Sequence, residues 1–204
     1  MNIELLAEQI AERVAMHGLV VPDSALLACA TYISELSRWN QRINLTSLPL
    51  DFPIPDVSVD KLIVEPLMAT TLLSSAPRVW VDLGSGGGSP AVPLRTAWRL
   101  GSLTMVESRD RKCSFLRDVV RRVGLSNTHV QTGRFEALDR DGLAELVTMR
   151  AVKVDEPLTE LLGGLVVPGG CLLAFGSVVS SDTFTLESQA LLPDGSKVAL
   201  YRRL

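Results

Sequence analysis

The chain has 204 residues, of which 47% are hydrophobic and 21% charged, so it has ample apolar material for a core and is neither disordered nor fibrous. Its net charge of −3 excludes the basic coat over the whole chain that many nucleic-acid-binding proteins carry. The charge is unevenly distributed, because residues 79–152 hold 11 basic and 8 acidic side chains while the segments before and after them are net acidic.

Helical periodicity dominates the first third of the chain. The predicted helices run from Ile3 to Gly18, from Pro22 to about Trp39, and over residues 59–75. Three prolines within residues 49–57 predict a loop, and Pro66 is expected to interrupt or kink the third helix. We therefore expect residues 1–77 to form a helical appendage.

After residue 78 the pattern changes to short β-rich runs that alternate with helical segments. The runs cover residues 79–83, 103–106, 128–131, 146–149 and 171–175, with an amphipathic helix predicted at 110–123. This alternation predicts a parallel sheet covered on both faces. Near the end, residues 190–192 and 198–201 flank a Pro-Asp-Gly-Ser turn, which predicts an antiparallel hairpin. We expect an α/β fold with a mostly parallel sheet in residues 78–204.

Cysteine and histidine usage bears on compartment and on metal binding. Cys29, Cys113 and Cys171 are far apart and form no C-x-x-C pair, which argues against a disulfide framework or a thiolate zinc site. His17 and His129 are isolated, so we expect no metal. The chain begins without the basic and apolar regions of a signal peptide, and no apolar run approaches the roughly 18 residues of a transmembrane helix. We expect a soluble cytoplasmic protein.

A glycine-rich loop, Gly84-Ser85-Gly86-Gly87-Gly88, directly follows the first predicted strand. Glycines there let the backbone turn sharply and approach a ligand closely. The spacing is G-x-G-x-G with Asp82 two residues before it, since Ser89 stands where the dinucleotide-binding pattern has its last glycine. This form suits a cofactor whose amino-acid tail packs over the loop, such as S-adenosylmethionine. The alternative is a strand-to-helix turn without a ligand, which so many glycines disfavour.

The second strand and the helix after it carry further candidates. Glu107 ends that strand, where an acid can accept hydrogen bonds from a ribose; the alternative is an exposed acid paired with Arg109 or Arg111. The helix carries six cations, namely Arg109, Arg111, Lys112, Arg117, Arg121 and Arg122. Such a run is usually a solvated helix face. Beside a nucleotide site, however, it would also suit a phosphate backbone, and both interpretations stay open.

Two devices of nucleic-acid methyl transfer are absent from the sequence. A cytosine-C5 transferase needs a cysteine nucleophile that usually follows proline, whereas Cys113 and Cys171 follow lysine and glycine. An exocyclic-amine transferase usually has an Asn/Asp-Pro-Pro-aromatic segment after the fourth strand, where this chain reads Arg150-Ala151-Val152-Lys153. A ring nitrogen with a free lone pair, such as guanine N7, needs neither device, because positioning carries most of the catalysis.

Together these motifs resemble the RsmG (GidB) family of bacterial small-subunit ribosomal RNA guanine-N7 methyltransferases. The similar segments are Trp39-Asn40 with Asn44-Leu45-Thr46, Asp82–Gly86 with Pro90, Val106-Glu107-Ser108, Arg134-Phe135-Glu136 and Arg150-Ala151. The resemblance implies a Rossmann-like class I methyltransferase sheet and S-adenosyl-L-methionine as cofactor. It also implies 16S ribosomal RNA or the small ribosomal subunit as partner, and we expect a monomer.

The resemblance also implies site residues. The expected cofactor-binding set is Asp82, Gly84, Ser85, Gly86, Ser89, Glu107, Phe135, Glu136 and Arg150. Phe135 and Glu136 would frame the adenine, and Arg150 would lie near the reacting end. Asn44 and Arg150 are candidates for orienting the substrate. Arg109, Arg111 and Lys112 are candidates for binding RNA.

The chain departs from the family pattern at three places. The family's R-H-x-x-D-S-L helix reads Lys61-Leu62-Ile63-Val64-Glu65-Pro66-Leu67, Ser89 replaces a Phe or Leu, and the fifth strand ends in Phe175-Gly176 instead of Lys-Gly. Two alternatives therefore stay open. A small-molecule methyltransferase predicts a closed, mostly apolar pocket rather than an open basic cleft. A non-catalytic cofactor- or RNA-binding relative predicts cofactor affinity without methyl transfer.

Overall fold

A seven-stranded sheet organises the chain after residue 78. The computed structural model describes residues 1–138 and 143–204. The strands are β1 (Val79–Leu83), β2 (Ser102–Glu107), β3 (Thr128–Thr132), β4 (Ala144–Arg150), β5 (Val166–Phe175), β6 (Phe184–Leu191) and β7 (Lys197–Arg203). Their order is β3-β2-β1-β4-β5-β7-β6; β7 is antiparallel to both of its neighbours, and the other pairs are parallel. The predicted α/β fold, with its parallel sheet and closing hairpin, is confirmed.

Helices cover the sheet and form most of the first third of the chain. They are α1 (Ile3–Met16), α2 (Asp23–Asn40), α3 (Asp56–Val59), α4 (Glu65–Ala69), α5 (Ala91–Ala97), α6 (Asp110–Val123) and α7 (Glu156–Leu165). A π-helical turn, Asp60–Val64, joins α3 to α4, and short 3-10 turns cover Thr70–Leu72 and Phe135–Ala137. Across the described residues, no helix combines the length and apolar character needed to cross a membrane.

The helical appendage shares its core with one face of the sheet. Apolar residues of α1, α2 and the π-helical turn form a continuous buried cluster with Trp80 and Leu103. A second cluster lies on the opposite face, where Val81 and Leu83 pack with α7. Alternate residues of β1 point to opposite faces, so a single strand joins both clusters. The division of the chain at residue 77 stays a prediction.

A buried arginine holds together the loops at the far end of α5. Arg95 is 3% exposed. Its guanidinium donates four hydrogen bonds, to the carbonyl oxygens of Trp98, Leu100, Gly101 and Ser126. Burial lowers the pKa of Arg95. The side chain therefore joins four carbonyls that lie outside the regular helices and strands, at the ends of α5, β2 and β3.

Arg95→Met is expected to lower the free energy of unfolding by about 3 kcal/mol, because the four hydrogen bonds of a buried guanidinium would be lost. The matched control is Arg99→Met, since exposed Arg99 donates a single bond to Ser24 Oγ. That control should cost less than about 0.5 kcal/mol. Urea denaturation followed by circular dichroism measures both. Equal losses for the two variants would contradict this role of Arg95.

Candidate functional site

A cleft of about 310 Å³ opens at the carboxyl ends of β1 and β2. Ligands of open α/β sheets bind outside the carboxyl ends of the strands, near the point where the strand order reverses, which here lies between β1 and β4. Its lining includes Gly84, Glu107, Lys112, Gly133, Phe135 and Glu136. The structure therefore brings together four of the residues predicted to bind the cofactor, from three separate loops. We call it the glycine-loop cleft.

The backbone conformation and the close contacts of the glycine loop require residues without a Cβ atom. Gly84 has φ +69°, and a Cβ there would lie 3.3 Å from Val152 Cγ2. Gly88 has φ +90°, and a Cβ would lie 3.1 Å from the ring of Tyr32. The Tyr32 hydroxyl donates to the carbonyl of Gly87 at 2.7 Å. Tyr32 of α2 thus supports the loop on the side that faces the helical appendage. The sequence did not predict this role of Tyr32.

Glu107 lies at the floor of the glycine-loop cleft. One carboxylate oxygen accepts the Gly86 N–H at 3.0 Å, and the other accepts the Arg109 N–H at 2.9 Å and the Ser108 hydroxyl at 3.5 Å. Within the described ranges no cation lies within 4.0 Å of this carboxylate, so the structure does not show the alternative ion pair with Arg109 or Arg111. The oxygen that accepts the Gly86 N–H can accept a second hydrogen bond. Glu107 is therefore fixed in place and still able to receive a ligand hydroxyl.

Asp82 and Ser85 lie underneath the loop rather than in the cleft. Asp82 is 1% exposed and accepts a hydrogen bond from the Thr148 hydroxyl, which in turn accepts one from Trp80 Nε1. Burial raises the pKa of Asp82 to about 6. The Ser85 hydroxyl donates to the carbonyl of Asp82 at 3.2 Å. Both side chains shape the turn from the interior.

Arg150 and Ser89 lie on the side of the loop that faces the helical appendage. Arg150 donates to the carbonyl of Lys61 and forms an ion pair with Glu65 at 2.9 Å, and its guanidinium lies 4.4 Å from the centre of the Phe175 ring. Burial lowers the pKa of Arg150 and raises the pKa of Glu65. The Ser89 hydroxyl contacts the same cluster, 3.4 Å from Arg150 Nη1. Neither side chain lines the glycine-loop cleft.

A second cleft, of about 500 Å³, adjoins the first. Its lining consists of Arg42, Ile43, Asn44, Arg109, Asp110, Arg111 and Lys112. We call it the basic groove. Arg109 and Lys112 line both clefts. The structure thus places Asn44, a predicted orienting residue, beside the three predicted RNA-binding residues.

The six cations of α6 divide into two groups. Arg117 donates to the Thr132 hydroxyl, and Arg121 and Arg122 pair with Asp118. These three therefore form local contacts, as a solvated helix face would. The other three stand at the start of the helix and line the basic groove. Of the two groups, only Arg109, Arg111 and Lys112 lie in the basic groove.

Asn40 folds the loop that forms one wall of the basic groove. Its Oδ1 accepts the N–H groups of Leu45 and Thr46 at 2.8 and 3.0 Å, and its Nδ2 donates to the carbonyl of Thr46. Trp39 next to it donates to Asp118 of α6 at 3.0 Å. The Trp-Asn motif therefore builds the loop and docks it on α6. Arg42 inside the loop was missed by the sequence analysis because it stands at an unspecified position of the motif.

A sequence model of the GidB family, described as rRNA small subunit methyltransferase G, matches residues 26–200. The chain belongs to this family. A curated family relative, ribosomal RNA small subunit methyltransferase G of Nitratidesulfovibrio vulgaris (strain DP4), is 34% identical over 171 residues, which are 83% of this chain and 78% of the relative. The resemblance drawn from the motifs is confirmed.

Solved structures show the same fold at low sequence identity. A SAM-dependent methyltransferase from Aquifex aeolicus aligns with a TM-score of 0.59 and 11% identity, over 83% of this chain and 98% of that one. An RNA methyltransferase from Salinibacter ruber in complex with S-adenosyl-L-homocysteine aligns with a TM-score of 0.53 and 19% identity, over 62% of this chain and 80% of that one. The expected Rossmann-like methyltransferase sheet of this GidB family member is confirmed.

Proposed function

We propose that this member of the GidB family transfers a methyl group from S-adenosyl-L-methionine to N7 of a guanine in 16S ribosomal RNA. One observation carries the proposal: the glycine-loop cleft and the basic groove adjoin and share Arg109 and Lys112. A cofactor in the cleft and an RNA segment in the groove would meet at this border. Membership of a family described as an rRNA methyltransferase supports the reaction and the substrate.

The residues of the glycine-loop cleft fit this cofactor. The free acceptor position of Glu107 suits a ribose hydroxyl, and Phe135 with Glu136 can frame the adenine. The bare backbone at Gly84 leaves room for the amino-acid tail. Asp82, Ser85 and Gly86 support the loop, and Ser89 and Arg150 hold its far side. When bound, S-adenosyl-L-methionine supplies an electrophilic methyl group that guanine N7 can accept without a base.

The basic groove suits an RNA backbone. Within the described part of the chain no carboxylate lies within 4.0 Å of the side chains of Arg42, Arg109, Arg111 or Lys112. These cations are therefore available for phosphates. Asn44 lies among them, and its amide can hydrogen-bond a base edge and orient the guanine. In this account the protein catalyses by placing N7 in line with the methyl group.

Labelled methyl transfer tests this function against both alternatives. With methyl-labelled S-adenosyl-L-methionine, the protein should label 16S RNA, free or in 30S subunits, taken from cells that lack this modification; 23S RNA should stay unlabelled. Absence of label despite cofactor binding would favour the non-catalytic relative. Label confined to small molecules of a cell extract would favour the small-molecule methyltransferase, and either result would contradict the proposal.

A further inference from the structure

The helical segment before β1 lacks one backbone donor. Pro66 has no N–H group. It is the second residue of α4, which begins immediately after the π-helical turn Asp60–Val64. In an α-helix, residue 66 would donate to the carbonyl of Leu62. In the π-helical register it would donate to the carbonyl of Lys61. Neither carbonyl can receive a bond from residue 66, and buried backbone acceptors normally find a partner.

Ser89, at the end of the glycine loop, and Arg150, at the end of β4, supply these donors. The Ser89 hydroxyl donates to the carbonyl of Leu62 at 3.0 Å. Arg150 Nη1 donates to the carbonyl of Lys61 at 2.5 Å, and its Nη2 binds Glu65. Ser89 and Pro66 both depart from the family pattern. Pro66 cannot donate to the carbonyl of Leu62, and Ser89 donates to that carbonyl instead. The two departures are therefore physically linked.

We propose that Ser89 is a positioning residue for the cofactor loop, which it docks on the helical appendage by replacing the N–H that Pro66 lacks. The inference rests on the proposed cofactor site. Ser89 ends the loop that begins at Gly84, and Val152, two residues beyond Arg150, lies 3.3 Å from the position of a Cβ on Gly84. Both sides of the loop are therefore tied to the same helical turn. A shift of Ser89 would move the glycine-loop backbone on which, in the proposed site, the cofactor's amino-acid tail would lie.

A double-mutant cycle with Pro66 tests the proposal. Ser89→Ala should weaken the affinity for S-adenosyl-L-methionine about tenfold, measured by calorimetry well below the melting temperature. Ser89→Thr, which keeps the hydroxyl, should retain the affinity to within threefold. In the Pro66→Ala background the new N–H can donate to Leu62, so Ser89→Ala should weaken the affinity less than twofold. If Ser89 only contributed to the general stability of the fold, Ser89→Ala would weaken the cofactor affinity equally in both backgrounds.

The control removes a hydroxyl–carbonyl bond from the same helical segment but away from the loop. Thr70 Oγ1 donates to the carbonyl of Leu67 at 2.7 Å, and Thr70→Ala should leave cofactor affinity unchanged. An equal effect of Ser89→Ala in both backgrounds, or none in the parent protein, would overturn the proposal. If the parent protein binds no cofactor, the proposed function fails instead. In that case the same double-mutant cycle is measured on the midpoint of urea unfolding. If the effects of Ser89→Ala and Pro66→Ala on that midpoint are additive, Ser89 and Pro66 are not linked.

Discussion

Gly84→Asp is expected to weaken S-adenosyl-L-methionine binding at least about 100-fold, beyond the range of ordinary titration calorimetry. The backbone at Gly84 has φ +69°, which costs a residue with a Cβ about 1–2 kcal/mol, and that Cβ would lie 3.3 Å from Val152 Cγ2. The new carboxylate would also enter the cleft that holds Glu107 and repel the carboxylate of the cofactor's tail. Strain, crowding and like charge all act at the same point.

Gly124→Asp is the matched control for this variant. Gly124 has φ +73° and ends α6, but a Cβ there would meet no atom within 4 Å, and the residue lines neither the glycine-loop cleft nor the basic groove. We expect a loss of about 1 kcal/mol in the free energy of unfolding and an unchanged cofactor affinity. Retention of wild-type affinity by Gly84→Asp, or an equal loss in the control, would show that the cleft is not the cofactor site.

The double variant Arg42→Ala/Arg111→Ala is expected to lower kcat/KM for 16S RNA about 30-fold while the cofactor affinity stays unchanged. Each side chain lines the basic groove, and loss of a phosphate contact of about 1 kcal/mol at each position gives this factor. The logarithm of kcat/KM should also fall less steeply with the logarithm of salt concentration. Two lost phosphate contacts predict a decrease in slope of about 1.4 to 1.8.

Arg117→Ala/Arg121→Ala removes the same amount of charge, but both residues lie on α6 and outside the basic groove. These two arginines bind Thr132 and Asp118 and lie outside the groove. The control should therefore change kcat/KM less than threefold and leave the salt dependence unaltered. If both double variants lose activity equally, the overall positive charge of this surface matters rather than the groove positions. The groove would then not be the path of the RNA.

Local signals predicted much of this fold. The bounds of α6 and β1 agree with their predictions, because α6 has clear apolar periodicity and ends at a glycine with φ +73°. The alternation of strands and helices implied α5 and α7, but their bounds were not predicted. They contain Pro93 and the pair Gly163-Gly164, residues that in sequence favour helix ends. The third helix was predicted as one kinked element, whereas it starts at Asp56 and includes a π-helical turn before Pro66.

The relations between distant segments were beyond sequence reasoning. Trp39 and Arg38 bind Asp118, about 80 residues away. These contacts hold α2 against α6, so that Arg42 and Asn44 lie beside the start of α6. The partners of Arg150 lie 85 and 89 residues earlier in the chain. A motif identifies Arg150, but strand alternation decides that it faces the helical appendage. The predicted cofactor-binding residues therefore divide between the cleft and its supports, a division that only tertiary packing establishes.

The most direct test of the central claim is to locate the transferred methyl group on the RNA. Borohydride reduction followed by aniline cleaves the RNA chain at N7-methylguanosine. It does not cleave the chain at guanines methylated on an exocyclic atom. After reaction with S-adenosyl-L-methionine, 16S RNA should be cut at a single new guanine, and the Gly84→Asp protein should produce no cut. Label on 16S RNA that resists this cleavage, or a cut that persists with Gly84→Asp, would contradict the account.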